Sequence, residues 1–332
     1  MSGAVPALCQ ALEAGSLPGA GQRWLVLNAN PLPAEAGQRA SFVCEQAERG
    51  AFLALKAAGF EAAPRIAEGA FDGAIVLLGK QKAANRSDLL RALEQTPQGA
   101  PILVAGDKTL GAASLRDWVA RHAPVVNSVS KSHAIAFRFD RPADITAFGE
   151  CTRSEAQQVD EFDTATGAFS PGAVDAGSAL LAHHFDRSIA GRVADFGAGW
   201  GYLAIEAARR GKPASLDLIE SHHGALDAAR VNIARLAPHI PARFHWLDLT
   251  REAAPAPFDC IVMNPPFHAG RAAEPSLGVA FINAAARALK PGGRLLMVAN
   301  RKLAYEETLR RGFARVATLS QESGFKVIEA TR

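Results

Sequence analysis

"VADFGAGWGYLAIEAARRG", residues 193–211, decides the fold of this chain. It opens with a short apolar run around Asp195 and Phe196, passes through three glycines within five residues, and then shows apolar residues at helical spacing up to Gly211. A short apolar run before a glycine-rich turn is typical of a buried strand, and apolar residues every three to four positions indicate a helix. The stretch therefore predicts a strand, a tight turn and a helix, the unit from which parallel sheets are built.

The same alternation continues to the C-terminus. After the first helix, at residues 203–209, an apolar run at 215–220 predicts a second strand, and residues 225–234 predict a second helix. Further strands are predicted at residues 242–247, 258–263, 294–299, 313–319 and 324–330. Strands separated by helices of about 10 to 15 residues imply βαβ units and a mainly parallel sheet.

The first half of the chain repeats the sequence pattern of the second half. Three pairs of segments correspond: residues 71–78 with 258–263, residues 92–93 and 99–105 with 288–299, and residues 128–137 with 319–328. Self-similarity along a chain indicates a duplicated domain, although short α/β patterns also recur by chance. The length of 332 residues agrees with two domains, because a single core usually stops growing at roughly 250 to 300 residues.

The expected domain plan is a first domain at residues 1–150, a linker at 151–166 and a second domain at 167–332. The linker is polar and acidic. The first copy has Asn28 to Pro31 where the second has its glycine turn, and residues 79–82 are expected in place of the later Asn-Pro-Pro-Phe sequence. We therefore expect the second domain to bind the cofactor and the first, degenerate one to support it.

Composition excludes several classes of protein. Apolar residues make up 48% of the chain, but no segment reaches the roughly 18 unbroken apolar residues of a membrane span. The N-terminus lacks the basic and apolar regions of a secretory signal, so a cytoplasmic location is expected. The net charge of +3 permits a nucleic-acid partner without demanding one.

The cysteines and histidines predict neither disulfides nor a metal site. The four cysteines, Cys9, Cys44, Cys151 and Cys260, are far apart, which favours reduced thiols. The histidine pairs at residues 183–184 and 222–223 have no partners at metal-ligand spacing, so surface positions explain them better. No bound metal is expected.

The three glycines after Asp195 are Gly197, Gly199 and Gly201. Glycine lets the backbone turn sharply and lets a ligand approach the main chain without a Cβ in the way. A dinucleotide-binding turn would need glycines at the first, third and sixth positions, but the sixth position is Tyr202. A purely structural turn remains the alternative to a cofactor site.

Acidic residues follow three successive predicted strands. Asp195 ends the first, Glu220 ends the second, where an acid accepts hydrogen bonds from ribose hydroxyls, and Asp248 follows the third, where it suits an adenine amino group. Leu249, next to Asp248, is expected to line the same crevice. Three acids would repel a phosphate and attract a cation. A cationic nucleoside without phosphates, S-adenosylmethionine, fits this description.

The fourth strand of the second half ends in an unusual way, with Asn264, Pro265, Pro266 and Phe267. Two prolines remove two backbone donors and fix two φ angles, so the chain leaves the sheet in a stiff, extended conformation. A proline-stiffened exit without chemistry is the simpler interpretation. Its position beside three other acceptor-bearing strand ends favours a functional site instead.

These motifs, in this order, resemble those of the class I S-adenosylmethionine-dependent methyltransferases, and most of all the guanine-N2 methyltransferases of ribosomal RNA. The resemblance is specific from about residue 162 onward and includes residues 167–170, Asp175, residues 298–300 and residues 325–327. It implies an α/β fold with two tandem Rossmann-like methyltransferase domains, the N-terminal one degenerate. It also implies methyl transfer from S-adenosylmethionine to the exocyclic N2 of a guanosine in 16S ribosomal RNA.

The resemblance also gives roles to single residues. If the Asn264 side-chain oxygen and the Pro265 carbonyl accept the two N–H hydrogens of the guanine amine, they stabilise the positive charge that develops on its nitrogen. Phe267 would stack on a base taken out of its helix. Phe169, Pro266, His268 and Arg301 are expected to contact the substrate, while a general-base role for His268 is disfavoured.

Several alternatives stay open from sequence alone. A 23S ribosomal RNA guanine-N2 methyltransferase, and enzymes acting on adenine N6 or glutamine N5, share parts of the motif set. From other classes, the chain could be a non-catalytic RNA-binding assembly factor on the same fold, or a nicotinamide oxidoreductase. The expected partner is ribosomal RNA or the small ribosomal subunit, and a monomer is expected because the duplicated domain can cover the surface that a partner subunit would use.

Overall fold

The structure is a computed structural model that describes residues 4–13, 18–32, 41–150, 158–164, 173–266, 268–269, 272–273 and 275–332. The chain divides into two compact units, Met1–Glu155 and Ala156–Arg332. No helix among the described residues is long and apolar enough to cross a membrane.

The first unit is an α/β unit with one sheet. Its helices are α1 (Ala4–Glu13), α2 (Arg49–Ala57), α3 (Lys82–Glu94), α4 (Ala112–Val119) and α5 (Thr146–Glu150), with a 3-10 turn at Lys108–Leu110. Its strands are β1 (Trp24–Leu27), β2 (Phe42–Glu45), β3 (Glu61–Ala63), β4 (Gly73–Leu77), β5 (Pro101–Asp107), β6 (Val125–Lys131) and β7 (Ala134–Asp140). The strand order is β3-β2-β1-β4-β5-β7-β6, in which β7 runs antiparallel to both of its neighbours.

The second unit repeats this plan. Its helices are α6 (Ala176–His183), α7 (Tyr202–Arg210), α8 (His223–Leu236), α9 (Pro275–Ala288) and α10 (Glu306–Gly312). Its main strands are β10 (Ala190–Phe196), β11 (Lys212–Glu220), β12 (Ala242–Trp246), β13 (Phe258–Met263), β16 (Leu289–Asn300), β17 (Arg315–Glu322) and β18 (Phe325–Thr331). Their order, β12-β11-β10-β13-β16-β18-β17, is the order of the first sheet. The duplicated α/β plan is therefore confirmed.

Four short strands complete the second unit. They are β8 (Gln158–Val159), β9 (Phe162–Asp163), β14 (His268–Ala269) and β15 (Ala272–Ala273), which form two antiparallel pairs. The first pair lies within the expected linker, yet Phe162 is buried in the core of the second unit. Asn232 of α8 holds this pair, because its side-chain amide donates to the Asp163 carbonyl and accepts from the Asp163 N–H, each over 2.8 Å.

Both sheets bury apolar strands between helices. In the second unit, strand β13 is apolar almost throughout because helices cover both of its faces, as expected for a parallel sheet. The hairpins that close the two sheets match in backbone conformation. Ser132 and His133 have φ angles of 51° and 63°, and Ser323 and Gly324 have φ angles of 50° and 84°.

The sheet registers fix which residues of the two units correspond. Trp24 of β1 pairs with Gly73 of β4, as Val193 of β10 pairs with Cys260 of β13. Counting from these pairs, residues 77–80 of the first unit stand where 264–267 stand in the second. The expectation of residues 79–82 at this place was wrong by two positions, because sequence alone did not show where β4 ends.

Candidate active site

The predicted site residues of the second unit lie along one edge of its sheet. Strands β10, β11, β12 and β13 are parallel neighbours, so their carboxyl ends point the same way. Asp195 is the last residue but one of β10, and Glu220 is the last residue of β11. Asp248 lies two residues after the end of β12, and Asn264 directly follows β13. Ligands of open α/β sheets bind at this edge.

The glycine turn between β10 and α7 is held by the neighbouring strand. The Gly197 and Ala198 N–H groups both donate to the Ile219 carbonyl, over 2.9 and 3.0 Å. All three glycines have positive φ angles, 74° at Gly197, 53° at Gly199 and 90° at Gly201. A Cβ at Gly199 would meet no atom of the described residues within 4 Å, so as far as these residues show, this part of the turn borders open space.

Glu220 ties the second strand to the glycine turn. Its Oε2 accepts a hydrogen bond from the Gly199 N–H over 2.8 Å, and its Oε1 accepts from the His222 N–H over 2.8 Å. The Ser221 hydroxyl also donates to Oε1, over 3.3 Å. Oε2 has a further lone pair, so the group can still accept a hydrogen bond from a ligand hydroxyl. The sequence predicted that Glu220 accepts hydrogen bonds from a ribose, but it did not show that Glu220 also fixes the shape of the glycine turn.

Asp195 is a buried carboxyl group, 2% exposed. Its Oδ2 accepts from the Ala204 N–H over 2.9 Å, while its Oδ1 is buried and has no partner among the described residues. Burial raises the pKa of Asp195 to about 7; the Ala204 hydrogen bond lowers it and the charge of Glu220 raises it further. An unsatisfied buried acceptor is costly unless a ligand or water pairs with it.

Asp248 and Leu249 lie in the turn after β12. The Asp248 Oδ1 accepts from the Thr250 N–H and hydroxyl, over 3.0 and 2.6 Å, which fixes the carboxylate in a local turn. Its Oδ2 lies 3.6 Å from the Arg251 Nε. Leu249 is buried in the core of the second unit.

Asn264 is clamped by the start of helix α6. Its Nδ2 donates to the Asp175 Oδ1 over 2.6 Å and to the Ser178 hydroxyl over 2.9 Å. The same Asp175 oxygen accepts from the Ser178 N–H over 2.9 Å and so caps α6. With both N–H groups used, the amide orientation is set, and its oxygen accepts no hydrogen bond from the part of the chain that the structure describes.

The remaining predicted contact residues are placed only in part. Pro265 is buried and Pro266 is exposed. Arg301 is exposed in the turn after β16, where its N–H donates to the Gly324 carbonyl over 2.9 Å. Phe169 and Phe267 lie outside the described residues, and His268 is described only as part of the short strand β14.

Other residues that carry the family resemblance have structural roles in this region. A Cβ at Gly177 would come within 3.0 Å of the Phe325 ring, so these two positions pack in direct contact. Lys326 is 3% exposed, and its Nζ donates to the Leu303 carbonyl over 2.6 Å and to the Glu306 carboxylate. The Asp175 and Ser178 clamp was missed by sequence reasoning, because these residues lie 89 and 86 positions before Asn264.

The donor and acceptor set fits a cationic nucleoside. Asp195 offers an unpaired buried acceptor, Glu220 and Asp248 add carboxylates at the neighbouring strand ends, and Gly199 leaves open space beside them. Among the described residues, no group of three or more His, Cys, Asp or Glu side chains is arranged to hold a metal ion. The chemistry of the site is therefore that of hydrogen-bond acceptors on a stiff strand exit.

The strand order, the glycine turn after the first strand and the acids after the first three strands together define a class I methyltransferase. In agreement, a family model described as Methyltransferase small domain matches residues 160–329. A ribosomal RNA small subunit methyltransferase C of Escherichia coli strain SMS-3-5 is 30% identical over 76% of this chain and 73% of that protein. The chain belongs to the ribosomal RNA small subunit methyltransferase C family, which confirms the prediction of a methyltransferase on tandem Rossmann-like domains.

Two further relatives and one solved structure are also similar to the chain. The Psychromonas ingrahamii small subunit methyltransferase C is 27% identical over 78% of this chain and 75% of that protein. A Klebsiella pneumoniae large subunit methyltransferase G is 30% identical, but over only 49% of this chain and 44% of that protein. The solved structure of the T. thermophilus 16S rRNA N2 G1207 methyltransferase, in complex with AdoMet and guanosine, matches with a TM-score of 0.78 over 99% of this chain and 91% of that one. At 24% identity, this last likeness is one of fold.

Proposed function

We propose that the protein transfers a methyl group from S-adenosylmethionine to the exocyclic N2 of a guanosine in 16S ribosomal RNA. The observation that carries the proposal is the Asn264 side chain, whose nitrogen is clamped by Asp175 and Ser178 so that its oxygen remains for a substrate N–H. The small-subunit relatives match over most of their length, whereas the large-subunit relative matches over less than half. This difference favours 16S over 23S RNA.

The residues at the strand ends would hold the cofactor. Glu220 would accept from ribose hydroxyls, Asp248 from the adenine amino group, and the Asp195 carboxylate would attract the positive charges of the methionine part. The glycine turn, at Gly197, Gly199 and Gly201, would let the cofactor approach the main chain, with Leu249 lining the same crevice. When bound, S-adenosylmethionine supplies a methyl group that is already activated by its sulfonium charge.

Catalysis at this site would depend on acceptors rather than on a base. The exocyclic amine of guanine is a weak nucleophile because its lone pair is drawn into the ring. The Asn264 oxygen and the Pro265 carbonyl accept its two N–H hydrogens, which favours a pyramidal nitrogen and stabilises its positive charge as the bond to carbon forms. The excess proton leaves the nitrogen after the transfer.

The rest of the assignment concerns the substrate. Phe267 would stack on the extruded guanine, with Phe169, Pro266, His268 and Arg301 as further contacts. The first unit, with the domain boundary at about residue 150 and a linker to about residue 166, would support RNA binding. The partner would be ribosomal RNA or the small ribosomal subunit, met in the cytoplasm by a monomeric enzyme.

The proposal is tested by nucleoside mapping. Small subunits assembled on transcribed, unmodified 16S RNA are incubated with the protein and S-adenosylmethionine, and the RNA is digested and analysed by mass spectrometry. We expect one N2-methylguanosine in 16S RNA and none in 23S RNA treated alike. Binding of S-adenosylmethionine by calorimetry, without methylation of either RNA, would favour the non-catalytic assembly factor instead.

A further inference from the structure

Two neighbouring residues at the start of β18, Phe325 and Lys326, contact two different segments that border the candidate site. Successive side chains of a strand point to opposite faces of the sheet. The Phe325 ring packs on the core that includes α6, whereas Lys326 points to the other face and reaches Leu303. Phe325 pairs with Asn300, the last residue of β16, so both residues lie at the sheet edge where the predicted site residues are found.

Phe325 lies beside the clamp that orients Asn264. A Cβ at Gly177 would lie 3.0 Å from a ring carbon of Phe325 and 3.1 Å from the Asp175 Oδ1. The ring and the carboxylate oxygen therefore meet at the first turn of α6, where a residue larger than glycine would crowd both. The same Asp175 oxygen accepts from the Asn264 Nδ2 over 2.6 Å. Loss of the ring would leave the start of α6 less supported and the clamp on Asn264 looser.

Lys326 holds the turn after β16, which carries Arg301. Its buried Nζ donates to the Leu303 carbonyl over 2.6 Å and to the Glu306 carboxylate. The Arg301 N–H donates to the Gly324 carbonyl over 2.9 Å. The turn is thus tied to the hairpin of β17 and β18 twice, through the backbone at Arg301 and through the Lys326 side chain at Leu303. The place of the exposed Arg301 side chain depends on both ties.

The first unit keeps the backbone tie between the hairpin and this turn. Its Lys108 N–H donates to the His133 carbonyl over 2.9 Å, as the Arg301 N–H donates to the Gly324 carbonyl. Both hydrogen bonds link the end of the fifth strand in the sheet order to the closing hairpin. This backbone tie therefore belongs to the fold that the two units share and does not distinguish the unit that carries the site.

The side chains next to this tie differ between the units. The strand registers place Ala134 where Phe325 stands and Ile135 where Lys326 stands. Ala134 and Ile135 are both buried, so apolar side chains are sufficient to complete this hairpin. A buried ion pair is often no more stabilising than apolar residues of similar volume. Stability of the fold therefore does not explain a buried lysine in the unit that carries the site.

We propose that Phe325 and Lys326 are positioning residues for methyl transfer. Phe325 acts through the clamp on Asn264. Lys326 acts through the turn that carries Arg301. The proposal rests on the proposed function, which gives Asn264 the role of acceptor and Arg301 that of a substrate contact. The two side chains should therefore affect different kinetic constants, kcat for Phe325 and the KM for RNA for Lys326.

The kinetic test compares Phe325→Ala and Lys326→Met with a control, Phe313→Ala. Phe313 is a buried aromatic residue of the same unit that lies just before β17, at the opposite edge of the sheet, so its loss lowers stability without reaching the site. Methylation is measured on small subunits assembled on unmodified 16S RNA, well below the melting temperature of each variant. We expect Phe325→Ala to lower kcat about fivefold at unchanged KM, and Lys326→Met to raise the KM for RNA about fivefold at unchanged kcat. Phe313→Ala should change neither constant.

Conservative variants and the cofactor affinity complete this test. Lys326→Arg keeps a donor for the Leu303 carbonyl and should return the KM to within about twofold of the wild-type value. Phe325→Leu keeps most of the buried volume without the ring; if Phe325→Ala does not fold, it replaces that variant, and a smaller fall in kcat is expected. The affinity for S-adenosylmethionine should stay unchanged, because β10 and β11 lie on the other side of β13 from β18. A loss of cofactor affinity that accounts for the kinetic effect would overturn the proposal.

Double variants separate positioning from a general loss of stability. Phe325→Ala added to Asp175→Ala should lower kcat no further, because the clamp is already lost. Lys326→Met added to Arg301→Ala should raise the KM no further, because the contact that Lys326 positions is already lost. Residues that act through a shared partner show such non-additive effects, whereas independent effects multiply. Multiplied effects in either double variant would overturn the role of that residue, and so would equal effects in Phe313→Ala.

Hydrogen exchange followed by mass spectrometry tests the same contacts without the reaction. Phe325→Ala should speed exchange at the start of α6, where the Ser178 N–H is bound to Asp175, and Lys326→Met should speed it in residues 300–306. Phe313→Ala should speed neither. Unchanged exchange in both segments would overturn the proposal. If the wild type methylates no guanosine, the proposed function fails, while the exchange rates still decide whether the two side chains hold these segments.

Discussion

The two units share a backbone plan and differ at the ends of their strands. In the second unit the strand ends present acceptors, Asp195, Glu220 and Asn264. In the first unit the corresponding positions carry Val26, Gln46 and Leu77, as the paired strand registers show. The sheet order is the same in both, so chemistry at this edge is determined by a few residues and not by the topology.

The turn after the first strand of each sheet has a similar backbone conformation in the two units. Asn28 has a φ angle of 53°, in the same left-handed region as the φ of 74° at Gly197, its counterpart. Asparagine tolerates this region better than most residues with a side chain. Its amide then bonds to the Leu77 carbonyl, which closes the crevice that glycine leaves open. An asparagine side chain thus closes the crevice of the first unit at the place where the second unit leaves space for a ligand.

The comparison is tested most strongly at Asn264. We expect Asn264→Ala to lower turnover by at least about 100-fold, about 2.7 kcal/mol of lost transition-state stabilisation, because one acceptor for the guanine amine is removed. The affinity for S-adenosylmethionine should stay unchanged. Single-turnover methylation of 16S RNA measures the first quantity and calorimetry the second. Near-normal turnover in this variant would refute the acceptor mechanism.

Two variants of Asp175 provide the control for that experiment. Asp175→Asn keeps an oxygen that accepts from the Asn264 amide and from the Ser178 N–H, so turnover should stay close to that of the wild type. Asp175→Ala removes this acceptor and leaves the Asn264 amide held by the Ser178 hydroxyl alone, so its orientation is less fixed. We expect it to lower turnover by about tenfold with an unchanged KM for RNA, since about 1.4 kcal/mol corresponds to one bond of this kind. Loss of folding instead would show as a lower melting temperature.

The second prediction compares how much a buried ion pair of the second unit and a surface ion pair of the first unit contribute to stability. Asp217 is fully buried and binds Arg192 through two hydrogen bonds of 2.8 and 2.9 Å, whereas Arg23, the counterpart of Arg192, pairs with Glu61 on the surface. We expect Asp217→Ala to lower the free energy of unfolding of the second unit by about 2 kcal/mol, and Glu61→Ala to cost the first unit less than about 1 kcal/mol. Urea unfolding followed by hydrogen exchange measures each unit separately.

The pH dependence of this difference has a definite sign. Burial raises the pKa of Asp217, but hydrogen bonds from Arg192 and His245 outweigh it and hold the pKa below its usual value. Because the pKa of Asp217 is lower in the folded state, its ionised carboxylate stabilises the folded protein at pH values above the unfolded-state pKa of about 3.9. This stabilisation is lost as the pH falls through the folded-state pKa. The Asp217→Ala effect should therefore shrink in acid. An effect that grows in acid would contradict this account.

The third prediction exchanges the acid and the amide between the units. Glu220→Gln should weaken S-adenosylmethionine binding by about tenfold, because a charged acceptor for the ribose hydroxyls becomes neutral. Gln46→Glu places the same carboxylate at the corresponding position of the first unit. It removes the hydrogen bond from the Gln46 amide to the Ala29 carbonyl, but the Asn28 amide still closes the crevice through its bond to the Leu77 carbonyl. It should leave the affinity unchanged and create no second cofactor site. If calorimetry found two S-adenosylmethionine molecules bound per Gln46→Glu chain, the first unit would have gained a cofactor site, which would contradict this prediction.

The sequence predicts the fold well and the site in part. Alternating patterns locate the strands of the second unit, and the matched hairpins at residues 128–137 and 319–328 reveal the duplication, because strand periodicity and turn residues are local signals. The clamp from Asp175 to Asn264 joins residues far apart in sequence, and no local pattern indicates such a contact. The partner of Glu220 at Gly199 was missed for the same reason.

The smallest expected effect concerns Asp195, whose counterpart Val26 cannot titrate. The folded-state pKa of Asp195 is raised to about 7 by burial, so the carboxyl is protonated below this pH and loses its attraction for a cationic ligand. We expect the affinity for S-adenosylmethionine to rise about fourfold between about pH 6.5 and about pH 8, with release of a proton on binding near neutral pH. Calorimetry in buffers of different ionisation enthalpy measures both. Asp195→Asn should abolish the pH dependence, because an amide carries no titratable proton in this range. A pH dependence that survives in this variant would show that the titrating group is not Asp195.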